Sequence, residues 1–204
     1  MKLYYSPGAC SLSPHIVLRE AGMDFQAVSV DLATKQIDGG GDFRRINDRG
    51  YVPALELDDG QVLTEVPAIL AYLGDLRPDC GLVPRVGSFE RYRVLEWLSF
   101  ISSELHKTFS PLFAPDTPDD YKPVVRGRLT ERSAYLERRL ADGRAFLTGD
   151  TFTAADAYLF VVIGWSAYVD LDLRSYPKLS AYQARVGTRP KVQAALKAEG
   201  LLKA

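Results

Sequence analysis

Cysteine is scarce in this chain. Cys10 and Cys80 are the two thiols among 204 residues, which argues against a small secreted scaffold stapled by disulfides. Surplus charge is missing as well: 25 basic against 26 acidic side chains leave a formal charge of -1. Neither a nucleic acid nor an anionic membrane surface is therefore an expected partner. The longest apolar stretch, from Ala157 past Gly164 to Val169, is bracketed by Asp156 and Asp170. It is too short to span a bilayer and reads as a core helix. The opening residues lack the apolar stretch of a signal peptide, so a cytoplasmic location is expected. Internal repeats and low-complexity segments are absent, and no metal site is expected.

What is present begins with an alternation of strand and helix over the first 76 residues. Lys2-Leu3-Tyr4-Tyr5 reads as a strand, Ser6-Pro7-Gly8-Ala9 as a turn, and the segment from Cys10 opens a helix that Gly22 stops. A second strand is expected from about residue 25 to 30. The stretch from Lys35 to Ile46 is weakly helical at best, because Gly39-Gly40-Gly41 breaks it. Asp58-Asp59-Gly60 between two apolar runs signals a hairpin, and Pro67 opens a helix to about residue 76. This β-α-β-α-β-β-α order describes a thioredoxin-like domain. Residues 77–87 have linker composition. Residues 88–204 carry helical periodicity only, interrupted by prolines 111, 115, 118 and 123, and Thr153-Ala154-Ala155-Asp156 forms a capping box. The expected architecture is an α/β domain over 1–76 followed by an all-α domain over 88–204.

Cys10 carries the most chemistry. A thiol at a helix N-terminus feels the positive end of the macrodipole, which lowers its pKa and favours thiolate near neutral pH. The competing reading is a small buried hydrophobe, and the segment alone leaves both open. Cys10-Ser11-Leu12-Ser13 has no second thiol one turn on, so it can hold a mixed disulfide but cannot run a dithiol cycle. Ser11 and Ser13 can cap the helix or hydrogen-bond the sulfur. Ser99, Ser102, Ser103 and His106 fall at i, i+3, i+4 and i+7, a polar stripe that is either a solvated face or a wall approached closely by a ligand. His106 is a candidate hydrogen-bond donor to sulfur. Cys80 reads as a bystander, His15, one turn into the first helix, as structural or solvated, and Asp156 as a capping acid.

Two further features converge on Cys10. Val52-Pro53 just before a strand is a candidate cis peptide, which leaves the Val52 backbone free to pair with an extended peptide. Thr64-Glu65-Val66-Pro67 at a helix start offers a carboxylate for an amine and the Val66 N–H for a carboxylate. An amine, a carboxylate, a peptide backbone and a thiol together describe glutathione.

The whole chain resembles a glutathione S-transferase. Met1-Lys2-Leu3-Tyr4-Tyr5-Ser6-Pro7-Gly8-Ala9-Cys10-Ser11, Ser103-Glu104-Leu105-His106-Lys107 and Phe152-Thr153-Ala154-Ala155-Asp156-Ala157-Tyr158 are similar to the bacterial beta class. The resemblance implies conjugation of glutathione, as co-substrate and with no other cofactor, to a small hydrophobic electrophile. It also implies thiol-transferase or peroxidase capacity through Cys10; a non-catalytic carrier of glutathione and apolar ligands is the alternative. It implies catalytic roles for Cys10, His106, Tyr5 and Ser11. Glutathione contacts are implied from Cys10, Lys35, Val52, Pro53, Glu65, Val66, Ser99, Ser103, Glu104, Leu105, His106 and Lys107. A homodimer is implied, with Glu104 reaching the neighbouring subunit's glutathione. Phe109, Phe113 and Trp165 are candidates for the second-substrate wall. The chain departs from the class at Ser99, where asparagine is usual, at Asp48, where proline is usual, and at Val66, where the wider family has a small or hydroxylated residue.

Overall fold

The strands lie in the first third of the chain, and the sheet is built there. The computed structural model describes residues 1–202; the last two residues of the expected helical segment, 203 and 204, lie outside the described residues. The strands are β1 (Lys2–Tyr5), β2 (Gln26–Ser29), β3 (Ala54–Glu56) and β4 (Val62–Thr64), in the order β2-β1-β3-β4. β1 runs parallel to β2 and antiparallel to β3, with Leu3 facing Ala27 on one side and Leu55 on the other. The parallel pair needs a crossover, and helix α1 (Leu12–Glu20) supplies it. Strand alternation sorts the two faces. Leu3 and Leu55 join Ile16 of α1 and Ile69, Leu70 and Leu73 of α2 (Val66–Leu76) in the main core, while Tyr4, Val30, Phe43, Val52 and Ala54 form a second cluster on the other face. The segment after β2 is not a helix. Three successive left-handed glycines leave turns and a single 3-10 turn, Phe43–Arg45, capped by the Asp42 side chain.

Among the described residues from Phe89 onward every regular element is helical: α3 (Phe89–Phe100), α4 (Lys107–Phe113), α5 (Lys122–Arg139), α6 (Ala154–Gly164), α7 (Pro177–Gly187) and α8 (Pro190–Ala198), with short 3-10 turns between the later ones. Two details differ from expectation. The helix is not broken at Pro111 but runs on to Phe113; proline there removes one hydrogen bond, and wholly buried Phe109 keeps the segment anchored in the core. Between α3 and α4, Ile101–His106 is a π-helical turn, which rotates the residues after it relative to an α-helical register. Among the described residues no helix is long and apolar enough to cross a membrane.

The sheet half and the helical half meet along α1, which packs against α2, α6 and α8. Gly74 of α2 lets Val83 approach so closely that an added Cβ would collide with it. The Glu199 side chain, wholly buried at the end of α8, receives the Gly8 N–H at 3.0 Å and lies 2.8 Å from His15 Nδ1. The indole of Trp165 donates to the Gly8 carbonyl at 2.9 Å. His15 is thus structural rather than solvated.

Asp156 behaves as the capping acid its motif implied. Its carboxylate accepts from the N–H and hydroxyl of Thr153, the Leu147 N–H and the Tyr182 hydroxyl, each at 2.8 or 2.9 Å. Burial pushes this carboxyl up from its ordinary value while those donors pull it back. Four donors on one buried side chain make the position expensive to change. Asp156→Ala should lower stability by about 3 kcal/mol, because donors would lose a charged acceptor in the core. The check is the urea midpoint at constant m-value; an unchanged midpoint would mean that water replaces the carboxylate.

Candidate active site

Residues from both halves enclose a cleft of about 770 Å³. The sheet half contributes the turn Ser6–Cys10, Arg49, Tyr51, Val52 and Pro53, and the N-terminus of α2 from Thr64 to Val66. Across from them stand Ser102, His106, Lys107, Ser110 and Phe113 on the α3–α4 helix and Tyr158, Trp165 and Tyr168 on α6 and the turn after it.

Cys10 lines this cleft two residues before α1 begins, since Ser11 is the N-cap and Leu12 the first helical residue. Its thiol is buried and donates to the Val52 carbonyl at 3.3 Å. Burial pushes the thiol up to about 12, with the backbone N–H groups of Cys10 and Ser11 and the charge of Lys107 pulling the other way and Glu65 adding to the rise. Of the two readings the segment leaves open, burial favours the protonated thiol: desolvation outweighs the helix N-terminus. Ser11 neither caps the helix nor faces the sulfur. Its hydroxyl is buried, accepting from the Ser6 N–H at 3.1 Å and meeting the Ser6 carbonyl at 3.3 Å, so it closes the turn that carries Cys10. The Ser13 hydroxyl is buried without a partner among the described residues.

The cis peptide and the open backbone edge beside it stand where their motifs placed them. The Val52-Pro53 bond is cis, and the Val52 N–H has no hydrogen-bond partner among the described residues. Val66 is the buried first residue of α2. Glu65 sits just before it in a left-handed conformation, φ 68°, with its carboxylate exposed. Its partner is Arg49, which the sequence reading passed over. The guanidinium reaches Glu65 Oε1 at 2.8 Å and Thr64 Oγ1 at 2.7 Å. The signal was the Asn47-Asp48-Arg49-Gly50 turn, which Asn47 shapes through its bond to the Tyr51 carbonyl at 2.7 Å.

Several expected contact residues do not line the cleft. Tyr5, at the end of β1, has its ring near His15, and burial pushes its hydroxyl up from the usual value. Lys35 binds the Gly50 carbonyl at 3.0 Å behind the Tyr51 ring. The π turn explains the rest. With a wider turn, Ser102 and His106 face the cleft while Ser99 and Ser103 stay exposed elsewhere, the Ser103 hydroxyl donating to the Ser99 carbonyl. Leu105 is fully buried in the core. Glu104 is held by Arg132 of α5 at 2.8 Å. The evenly spaced stripe expected of an α-helix therefore splits.

His106 is mostly buried. Its Nδ1 lies 2.7 Å from the Tyr158 hydroxyl, and the Trp165 ring stands edge-on at 4.9 Å. Burial, aided by the charge of Lys107, lowers its pKa to about 4, with Glu65 opposing. At neutral pH it is an uncharged imidazole. Phe113 and Trp165 reach the cleft as expected of a second-substrate wall. Phe109 does not, being packed beneath Trp165 with ring centroids 5.8 Å apart. Among the described residues no group of three or more His, Cys, Asp or Glu side chains could hold a metal ion.

This arrangement has close parallels. Family models for the glutathione S-transferase N-terminal domain and C-terminal domain match residues 8–76 and 122–185. A glutathione S-transferase, GstA, of Escherichia coli O157:H7 is 51% identical over 98% of this chain and 100% of its own. A sphingomonad glutathione S-transferase solved in complex with glutathione superposes with a TM-score of 0.95 at 53% identity, covering 99% of this chain and 100% of that one. A beta-class glutathione S-transferase of Sphingomonas chungbukensis gives 0.96 at 51%, again over 99% and 100%. The chain belongs to the glutathione S-transferase family and falls with its bacterial beta-class members.

The protonated state of Cys10 can be read directly. On raising the pH of the ligand-free protein, the ultraviolet absorbance of a Cys10 thiolate, taken as the difference from Cys10→Ser, should stay flat up to about pH 9. A step centred below pH 7 would show that the helix N-terminus wins after all.

Proposed function

We propose that the protein is a transferase that joins the sulfur of glutathione to small apolar electrophiles. One observation carries this: a free peptide edge and an α2 N-terminus face an aromatic wall across a single cleft, with Cys10 and His106 between them. Residues 1–76 bind glutathione and the helical residues after the linker present the electrophile. The free Val52 N–H pairs with the tripeptide backbone. The Val66 N–H at the start of α2 takes a carboxylate, and Glu65 shares its charge between Arg49 and the ligand's ammonium. Lys107 adds positive charge near the sulfur. The glutathione thiol gives its proton to solvent, its sulfur bonds to the electrophilic carbon, and the leaving group departs with the electron pair of the broken bond. Cys10 and His106 hold the sulfur by hydrogen bonds that strengthen as it becomes anionic.

Glutathione is the co-substrate, and no other cofactor enters this reading. The protein works as a homodimer in the cytoplasm; Phe89 and Tyr92 on α3, both more than half exposed, are apolar side chains for a second copy to cover. Glu104 could serve the neighbouring site only by sharing its charge with Arg132.

Disulfide exchange or peroxide reduction through Cys10 is a second reading, favoured by the position of its sulfur on the cleft. Such chemistry needs a thiolate, so it ranks below conjugation here. The two separate by substitution. Cys10→Ala should abolish reduction of hydroxyethyl disulfide yet only weaken conjugation of a chromogenic aromatic electrophile, since His106 still holds the glutathione sulfur. Loss of both would make the protein sulfur part of every reaction. If the intact protein conjugates nothing while calorimetry shows it binding glutathione, it is a carrier. Glu65→Ala should weaken glutathione binding about five- to tenfold, the modest cost of an exposed charge-assisted contact; unchanged calorimetric affinity would remove Glu65 as the ammonium's partner.

A further inference from the structure

Tyr158 is a buried phenol on α6, two residues beyond the capping acid Asp156, and it stands in the wall of the cleft. Its hydroxyl lies 2.7 Å from His106 Nδ1. Ser102, four residues before His106 on the opposite helix, is a second partner and donates its hydroxyl to the phenol oxygen. Burial pushes the Tyr158 hydroxyl far above its ordinary value, so it always carries its proton. A buried O–H left without an acceptor costs about 1–3 kcal/mol, and the lone pair of His106 Nδ1 is the acceptor at hand. A neutral imidazole has one N–H. If Nδ1 accepts, Nε2 is protonated.

We infer that Tyr158 is a positioning residue that locks His106 in the Nε2-protonated tautomer, so that His106 faces the reacting sulfur as a fixed hydrogen-bond donor and not as a general base. The inference concerns how the sulfur is held and rests on the transferase reading above. The charged or titratable groups around His106 are Lys107 on its own helix, Glu65 at the start of α2, Cys10 on the turn before α1 and Tyr158 itself. Of these, Tyr158 is the one bonded to the ring. A base would need an unprotonated nitrogen on the cleft side, and Tyr158 turns that nitrogen away from it. The thiol proton of glutathione therefore leaves to water, while His106 stabilises the thiolate that remains.

The test compares the wild type with Tyr158→Phe, which keeps the ring and removes the hydroxyl. Nitrogen-15 NMR of the imidazoles, with His106 assigned by difference from His106→Gln, should show protonated Nε2 and an accepting Nδ1 in the wild type. In Tyr158→Phe the spectrum should change to a tautomer mixture. The thiol pKa of bound glutathione, followed by thiolate absorbance, should rise by about one unit, and kcat/KM for conjugation should fall about tenfold, the worth of one well-placed hydrogen bond. KM for glutathione should stay within about twofold, since the tripeptide is held elsewhere. A wild-type spectrum with protonated Nδ1 would overturn the inference, as would a Phe variant with the same tautomer and thiol pKa. Should Tyr158→Phe not fold, the wild-type spectrum alone decides. If the wild type shows no conjugation the transferase reading fails, and the tautomer still decides the inference.

Discussion

Both polar backbone groups of Gly8 are bonded to side chains more than 150 residues further along the chain: its N–H to Glu199 and its carbonyl to Trp165. The turn that carries Cys10 is thereby tied to the helical half, and the cleft depends on that tie. Gly8 adopts φ 73°, a conformation costly for residues with a Cβ. Ser11 closes the same turn from within by bonding both polar groups of Ser6. Burying the Glu199 carboxylate is expensive unless its oxygens are satisfied. The Gly8 N–H occupies one and His15, in turn bonded by Arg19, occupies the other. A polar network deep in the molecule thus sets the position of the chemistry at its surface.

The chemistry itself follows from a contest between burial and polarity. The same enclosure that positions Cys10 against the Val52 carbonyl strips water from its sulfur. It does likewise to the imidazole of His106 and the phenol of Tyr158. All three become neutral hydrogen-bonding groups at physiological pH. A site built this way is suited to receiving charge that arrives on a ligand's sulfur, because preformed donors gain most where water is excluded. It is less suited to supplying a nucleophile of its own.

Local signals in the chain were legible where they are set by neighbours in sequence. The strand Lys2–Tyr5, the Asp-Gly hairpin, the capping box at Thr153 and the proline at the start of α2 all read correctly, because turn and cap chemistry acts over a few residues. The Val52-Pro53-to-Glu65 edge was legible for the same reason. What failed was periodicity across residues 99–107. One π turn moved Ser99 and Ser103 off the cleft and left Ser102 and His106 on it, a displacement that an i, i+3, i+4 count cannot foresee. Arg49 and Tyr158 went unnoticed because their partners, Glu65 and His106, are distant in sequence.

By itself the sequence determined the order of elements, the two-part architecture and the residues that bring a thiol, an imidazole, a carboxylate and a peptide edge into one family of sites. Spacing, turn residues and caps encode these, since each depends on backbone preferences over a few positions. Only the tertiary structure decided which of those groups meet and in what state of protonation. Protonation depends on desolvation, and desolvation belongs to the packed molecule: Cys10 is a thiol, and not a thiolate, because Val52 and the surrounding cleft wall bury it, which nothing in the run from Ser6 to Ser13 records.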